Sequence, residues 1–336
     1  MVNAHPLVSF VTCTYNSERL IKDCLDSVKK LDYPKNRIEV VIIDGFSKDK
    51  TVEIAKKYSF VKVFRIKTNG PEIATALGYQ RAKGKYVVNF PSDNIIIDKK
   101  WLTMMVEPLE KHPEVIASET HHYAYVRRDS MMNRYYSLLG VNDLLPFYFN
   151  KRDRATHYET GWHLPSPAKD CGNYFIASFT ADNLPTVGAN GFILRNKFAK
   201  MISRKPERFF HMDTCLDLVK KGYDTFAFVK TDIWHRTAED VLSFFRKRKR
   251  YVIILYLKKL SVRRYHIFNV KKDKLKLILF VLLSVTFIEP FLRACRGFIT
   301  KRDFAWFLHP FVCFLSVVSY VYTWLVFVFY EKQLQK

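Results

Sequence analysis

Hydrophobic and polar positions in the first hundred residues alternate between two periods. Residues 7–15 form an apolar, β-rich run. The stretch NSERLIKDCLDSVKKL (16–31) then sets Leu20, Ile21, Cys24, Leu25, Val28 and Leu31 at helical spacing, behind Asn16 or Ser17 as N-cap with an acidic residue close by. The wholly apolar IEVVIID (38–44) predicts a strand, SKDKTVEIAKKY (47–58) a helix and VKVFRI (61–66) another strand. A helix carrying Ala74, Leu77, Gly78 and Ala82 leads to the strand KYVVNF (85–90). Strands alternating with helices imply an α/β fold, a mostly parallel sheet flanked by helices on both faces. Ligands of such sheets bind beyond the carboxyl ends of the strands, where Tyr15, Asp44 and Asp93 fall.

The pattern changes near the C-terminus. Phe304 to Tyr330 runs for 27 residues without Asp, Glu, Lys or Arg. As a helix it rises about 40 Å, more than a hydrocarbon core of roughly 30 Å. Trp306, Tyr320, Tyr322, Trp324 and Tyr330 mark its ends and C-terminal half in the manner of an aromatic belt. Residues 275–292 form a shorter apolar run with Glu289 and Pro290 near its end, readable as a span or as a re-entrant or interfacial segment. Before it, FFRKRKRYVIILYLKKLSVRRYHIF interleaves cations with Phe, Tyr, Ile and Leu, which suits an amphipathic helix in the headgroup plane. The organisation expected is a domain over 1–240, a basic interfacial segment over 241–272 and a transmembrane region over 273–336, with candidate spans at 275–292 and 304–330. Met1 to Pro6 lead directly into the first strand, without the charged and cleavable features of a secretory signal.

Charge sharpens this picture. The net charge is +23, but from Val241 onward 19 Lys and Arg face 4 Asp and Glu, so +15 lies beside the apolar runs. Such placement fits an anionic lipid surface, at about 1 kcal/mol per cation, and argues against a nucleic-acid partner. Thirteen cations between Arg246 and Lys276 assign that stretch to the cytoplasmic side of the cell membrane. The six cysteines (13, 24, 171, 215, 295, 313) show no CxxC pair or zinc spacing and read as reduced thiols.

Polar groups at three neighbouring strand ends suit a nucleotide sugar. Such a ligand needs a wall for its base, a carboxylate for base or ribose hydroxyls, and a carboxylate-held divalent cation at its pyrophosphate. Tyr15, Asp44 and Asp93 would supply these in order, although Asp and Asn also end strands as ordinary turn residues.

The run VSFVTCTYNSERLIKDCLDSVKKLDYPKNRIEVVIIDGFSKDKTVEIAKKY resembles the family 2 glycosyltransferases of GT-A fold. In that family a strand ending in Tyr-Asn precedes a helix and a strand ending in an Asp-Asp-Gly-Ser-type turn. Here the turn reads Ile43-Asp44-Gly45-Phe46-Ser47. The resemblance extends over about residues 7 to 250 and implies that Tyr15, Asn16, Asp44, Ser92 and Asp93 meet the donor nucleotide, with Asp44 on the base. NGPEIATALGYQRAKGKYVVNFPSDN is similar to the helix and Asp-x-Asp metal motif of the family. Thr75-Ala76 replaces its Arg-Asn, and Pro91 replaces the first carboxylate of the metal motif. Asp93 is kept, implying Mg or Mn as cofactor.

Gly188-Ala189-Asn190-Gly191 is similar to the family's acceptor and sugar-binding turn, which implies acceptor or diphosphate contacts for Asn190 and Gly191. Asp213, preceded by Met212 where relatives carry Glu, is the implied general base, with Asp217 in reserve. His235, in Trp234-His235-Arg236, is the implied second metal contact, set against the structural role that single histidines more often play. Lys247 and Arg250-Tyr251 occupy the place of a Gln-x-x-Arg-Trp motif, facing either the leaving diphosphate or lipid phosphates. The aromatic and Arg-rich 121–154 has no motif and suits an acceptor-side or membrane-facing insert.

These readings imply an inverting, membrane-bound glycosyltransferase using a UDP- or GDP-sugar on a lipid-linked or glycan acceptor. The alternatives are a polyprenyl-phosphate glycosyl synthase and a non-catalytic nucleotide-sugar binder.

Overall fold

The computed structural model describes residues 5–68, 70–236, 240, 243, 246, 263–269 and 272–334. The chain divides into two units, Met1–Ala124 with Trp162–His235, and Tyr125–Gly161 with Arg236–Lys336. Most of the basic segment 241–272 lies outside the described residues.

The first unit is built on one sheet. Strands β1 (Val8–Thr14), β2 (Ile38–Asp44), β3 (Val61–Arg65) and β4 (Tyr86–Asn89) run parallel in the order β3-β2-β1-β4. Beyond them the sheet is mixed, because β9 (Phe192–Arg195) inserts antiparallel between β4 and β6 (Ala117–Tyr123). Next come β10 (Thr225–His235), parallel to β6, then β8 (Tyr174–Ser178) and β7 (Ala168–Asp170), both antiparallel to their neighbours. The parallel order expected from the sequence therefore holds for the first four strands and for β6 with β10. The two-residue strand β5 (Asn94–Ile95) joins the end of β10.

All seven residues of β2 are buried, as a strand covered on both faces requires. Glu39 is tolerated there because Ser9 Oγ and the Lys83 amide donate to its carboxylate at 2.5 and 2.6 Å.

Helix α1 (Glu18–Lys29) follows β1 as expected, but Ser17 caps it without a side-chain hydrogen bond. Its orphan N–H groups are served from the loop after β2. Ser47 Oγ accepts from Asn16, Thr51 Oγ1 from Ser17, and Asp49 from Glu18. Lys48 and Lys50 return the bonds, donating their amides to Asn16 Oδ1 and Glu18. This stitching holds Ser47 to Lys50 in the loop, so the helix expected over 47–58 shortens to α2 (Thr51–Ala55). Helix α3 (Pro71–Arg81) lies close on the sheet, since a Cβ at Gly78 would sit 2.2 Å from Val11 Cγ1. Helices α4 (Trp101–Lys111), α7 (Asn196–Ile202) and α8 (His211–Val219) complete this unit.

The second unit joins α5 (Met131–Leu139) and α6 (Leu144–Tyr148), both inside the motif-free insert, with α9 (Lys274–Thr286), α10 (Ile288–Thr300) and α11 (His309–Leu334). The run 275–292 is not one straight helix. It breaks at Phe287, which adopts φ 62°, and α9 and α10 diverge by 76°. Pro290 explains the position of the break: its ring would clash with the carbonyl of Thr286, four residues earlier, whereas the first turn of a new helix accepts it. Among the described residues one helix, Phe304–Phe329, is long and apolar enough to cross a membrane.

Gly78→Ala tests the close approach of α3. The added methyl should destabilise the first unit by about 1–3 kcal/mol through overpacking, seen as a lower denaturation midpoint. A midpoint equal to the parent's would show that the helix rides higher on the sheet.

Candidate active site

The turns after β1 and β2 form one wall. Asp44 ends β2 fully buried. Its carboxylate accepts from Thr14 Oγ1 at 3.0 Å and from the Ser47 amide at 3.0 Å, with Arg65 Nε 3.5 Å away. The structure thus gives Asp44 the work of holding the turn Gly45-Phe46-Ser47, and it is the adjacent rings that reach solvent, Tyr15 at 62% exposure and Phe46 at 49%. Arg65 lies over the Phe46 ring, 4.9 Å from its centroid, and donates to the Ser47 carbonyl. Phe46 takes φ 65°, rare for a bulky side chain, and Asn16 takes φ 49°, where Asn is more at home. Ser92 faces the start of α1, its Oγ 3.3 Å from Ser17 Oγ.

A second cluster gathers around Asp93. The β5–β10 ladder pairs Asn94 with His235, which brings His235 Nε2 to 3.4 Å from Asp93 Oδ2. Asn94 Nδ2 donates to Asp93 Oδ1 and to Asn190 Oδ1, both at 3.2 Å, and Asn190 Nδ2 donates to the Tyr123 hydroxyl at 3.0 Å. The Tyr123 ring in turn packs 5.7 Å from the His235 imidazole. Asn190 and Gly191 both have positive φ, at 55° and 86°. A Cβ on Gly191 would meet Ile233 Cδ1 at 2.6 Å, so glycine lets this turn press against β10.

The Asp93 and His235 donors fit a divalent cation as part of a shared site. Their 3.4 Å separation is close to the roughly 3 Å between neighbouring ligands of an octahedral ion with bonds of about 2.1 Å. Among the described residues no group of three or more His, Cys, Asp or Glu side chains gathers for a metal. The remaining positions would fall to diphosphate oxygens and water. Asn94 Oδ1 is also buried without a hydrogen-bond partner, so the oxygen cluster is not closed by protein alone.

Asp213 lies in the first turn of α8, 2% exposed. This turn abuts the loop that carries Asn190, because a Cβ on Gly188 would lie 3.2 Å from His211 Cβ and 3.3 Å from Cys215 Sγ. Glu72 at the start of α3 grips the same turn from the other side, accepting from the His211 amide at 3.0 Å and meeting its Nδ1 at 2.8 Å. Cys13 near the end of β1 lies 4.0 Å from Thr75 Oγ1. Its thiol is pushed up to about 12, chiefly by burial; the hydrogen bond from Thr75 opposes the shift, and the fields of Glu72 and Asp93 add to it.

Tyr15, Asn16, Asp44 and Ser92 thus share one wall, while Asp93, His235, Asn190 and Gly191 share a cluster. Lys247, Arg250 and Tyr251 lie outside the described residues. The sequence reading missed Phe46, Arg65, Asn94, Tyr123 and the Glu72–His211 clamp. An aromatic at the tip of a Gly-Phe-Ser turn was a visible signal for Phe46. The others had none, because each acts through a partner distant in the chain.

Residues 9–167 match the family model described as "Glycosyl transferase family 2". The chain is 38% identical over 93 residues to the poly(ribitol-phosphate) beta-N-acetylglucosaminyltransferase TarS of Staphylococcus aureus, which covers 26% of this chain and 16% of that protein. It is 30% identical over 130 residues to the putative teichuronic acid biosynthesis glycosyltransferase TuaG of Bacillus subtilis, covering 37% of this chain and 48% of the relative. The matches to these curated relatives thus span from about a sixth to about half of the relatives' own lengths. Among solved structures, the mannosyltransferase PcManGT of Pyrobaculum calidifontis, in complex with GDP-Man and Mn2+, superposes with TM-score 0.52 at 13% identity. That match covers 95% of this chain and 88% of the other and establishes a shared fold.

The environment of Cys13 predicts an inert thiol. With its pKa pushed up to about 12, only about one molecule in 10⁴ carries the thiolate at pH 8. Cys13 and Cys171 are both partly exposed, so mass spectrometry after iodoacetamide treatment of the native chain should find Cys13 modified far more slowly than Cys171, for want of thiolate and not of access. Alkylation of Cys13 as fast as that of Cys171 would show that its surroundings do not suppress the thiolate.

Proposed function

This chain carries a family 2 glycosyltransferase domain, and from that premise we propose that it transfers a sugar, with inversion, from a UDP- or GDP-sugar to a lipid-linked or glycan acceptor at the cytoplasmic face of a membrane. The observation that carries the reading is the 3.4 Å pairing of Asp93 with His235, in a turn whose Ser92 meets Ser17 in the wall that carries the exposed Tyr15 and Phe46 rings.

In this reading the two rings flank the nucleotide base, and Asp44 keeps their turn in shape through Thr14, Ser47 and Arg65. Asp93 and His235 hold Mg or Mn, which when bound offsets the charge of the diphosphate leaving group. The Mn2+ named with the mannosyltransferase supports that choice of ion. Asn190, oriented by Tyr123 and Asn94, faces the sugar and acceptor.

The acceptor oxygen forms a bond to the anomeric carbon as the bond from that carbon to the diphosphate breaks. Asp213 takes the hydroxyl proton, and the opposed attack inverts the centre. Glu72 acts through His211, fixing the turn that carries Asp213. Lys247, Arg250 and Tyr251 would meet the leaving diphosphate or the phosphates of anionic lipids. The apolar helix Phe304–Phe329 anchors the chain.

Purified full-length protein incubated with a panel of nucleotide sugars and Mg or Mn should release a nucleoside diphosphate from one donor class. Asp93→Ala and Asp213→Asn should each lower turnover at least about 10²-fold with circular dichroism unchanged. Unaltered turnover in both variants would reject the assignments. EDTA should abolish the activity and added Mn restore it, while full activity in EDTA would remove the metal from the scheme.

A further inference from the structure

Glu72 grips His211 twice, and the two bonds have different consequences. Its Oε2 accepts from the His211 amide at 3.0 Å, which by itself ties the first turn of α8 to the start of α3. Its Oε1 meets Nδ1 of the ring at 2.8 Å. An ionised carboxylate only accepts, so Nδ1 carries the proton and Nε2 of the neutral ring is left with a lone pair. Phe210 stacks on the imidazole, 4.7 Å between centroids and 25° between planes, so the ring is fixed in orientation as well as in tautomer. Holding the turn needs the main-chain bond alone. The second bond aims the far edge of the ring, and among the described residues no group hydrogen-bonds Nε2 there.

That turn borders the acceptor side of the cluster. A Cβ on Gly188 would lie 3.2 Å from His211 Cβ, and Gly188 is two residues, at most about 7 Å, from Asn190. Asn89 steadies the loop, donating from Nδ2 to the Gly188 carbonyl and accepting from the Gly191 amide, both at 2.8 Å. The His211 side chain is 19% exposed and Asp213 only 2%, so an incoming molecule meets the imidazole before it reaches the carboxylate.

Charge around the turn selects the kind of molecule. After burial, the fields of Glu119, Asp217, Asp213 and Glu72 push up the thiol of Cys215, one turn into α8. A phosphate nucleophile would bring its own negative charge into this field, and it is already ionised at neutral pH and needs no base. A hydroxyl is uncharged and does need one. On a sugar or polyol, the hydroxyl beside it can donate to a lone pair.

We infer that His211 is an acceptor-binding residue, whose Nε2 accepts from one hydroxyl of a sugar or polyol while the neighbouring hydroxyl gives its proton to Asp213 and attacks. An acceptor that reacts through a phosphate monoester does not fit. The inference rests on the transfer proposed above and names its acceptor class and a residue that selects it.

The test follows transfer by the full chain to alkyl glycosides, to polyols and to a polyprenyl phosphate. The parent should use a glycoside or polyol and not the phosphate. His211→Ala should raise the acceptor KM about 10-fold while lowering kcat far less, because a binding contact rather than the reacting group is lost. Two further variants separate binding from architecture. His211→Asn keeps an amide near Nδ1 for Glu72 but has nothing at Nε2, and should behave like His211→Ala. His211→Gln places an amide oxygen near Nε2 and should bring the acceptor KM back towards the parent's. The reverse order, with Asn restoring function and Gln failing, would make the ring a structural support and overturn the inference, as would an acceptor KM unmoved in all three variants. A parent that transfers to the polyprenyl phosphate alone overturns this inference and leaves glycosyl transfer standing, whereas a parent that transfers to no probe defeats both.

Discussion

The candidate site depends on a two-residue ladder. Asn94 and Ile95 pair antiparallel with Trp234 and His235, and this contact brings the carboxylate of Asp93 to the imidazole of His235. The ladder is short, so it needs support from side chains. Asn94 supplies it by donating to both Asp93 and Asn190, and Tyr123 closes the group from β6. Glycine at 191 is part of the same solution, since any side chain there would drive the turn away from Ile233. A single buried amide therefore couples Asp93 to the turn that carries Asn190.

Elsewhere in the sheet unit, long-range bonds replace the local ones that a helix start would ordinarily use. The amides of residues 16–18 are capped by side chains of 47, 49 and 51, and the bonds back from Lys48 and Lys50 lock the two strand-end loops to each other. The consequence is a rigid wall carrying Tyr15 and Phe46. Asp44 sits behind it with its charge spent on the turn and on Arg65. Three-centre support of this kind explains how Phe46 is held at a positive φ that would otherwise be strained.

The second unit follows a different logic, in which polar groups of the 125–161 segment organise apolar helices. Tyr148 touches Phe280 on α9, donates to Glu289 on α10 and stacks on His309 at the start of α11, so one residue meets all three helices. Asp143 caps α6 and accepts from Tyr320, tying the segment to α11. The segment was the least readable part of the sequence, and its role lies almost wholly in these contacts.

Sequence alone determined the strands β1 to β4, helices α1 and α3, the apolar terminal helix and the placement of Asp44 and Asp93 at strand ends. These follow from local periodicity and from the burial that a covered parallel sheet imposes on every position. It could not determine the length of α2, the break at Phe287, the antiparallel insertion of β9, or the partners of Asp93 and Asp213. Each of those is decided by groups far apart in the chain: a loop recruited to cap another helix, a turn pressed against β10, a carboxylate on α3 holding the start of α8. Pairings at such separation carry no periodic signal. They exist only once the sheet has closed and its loops must satisfy their polar groups with one another.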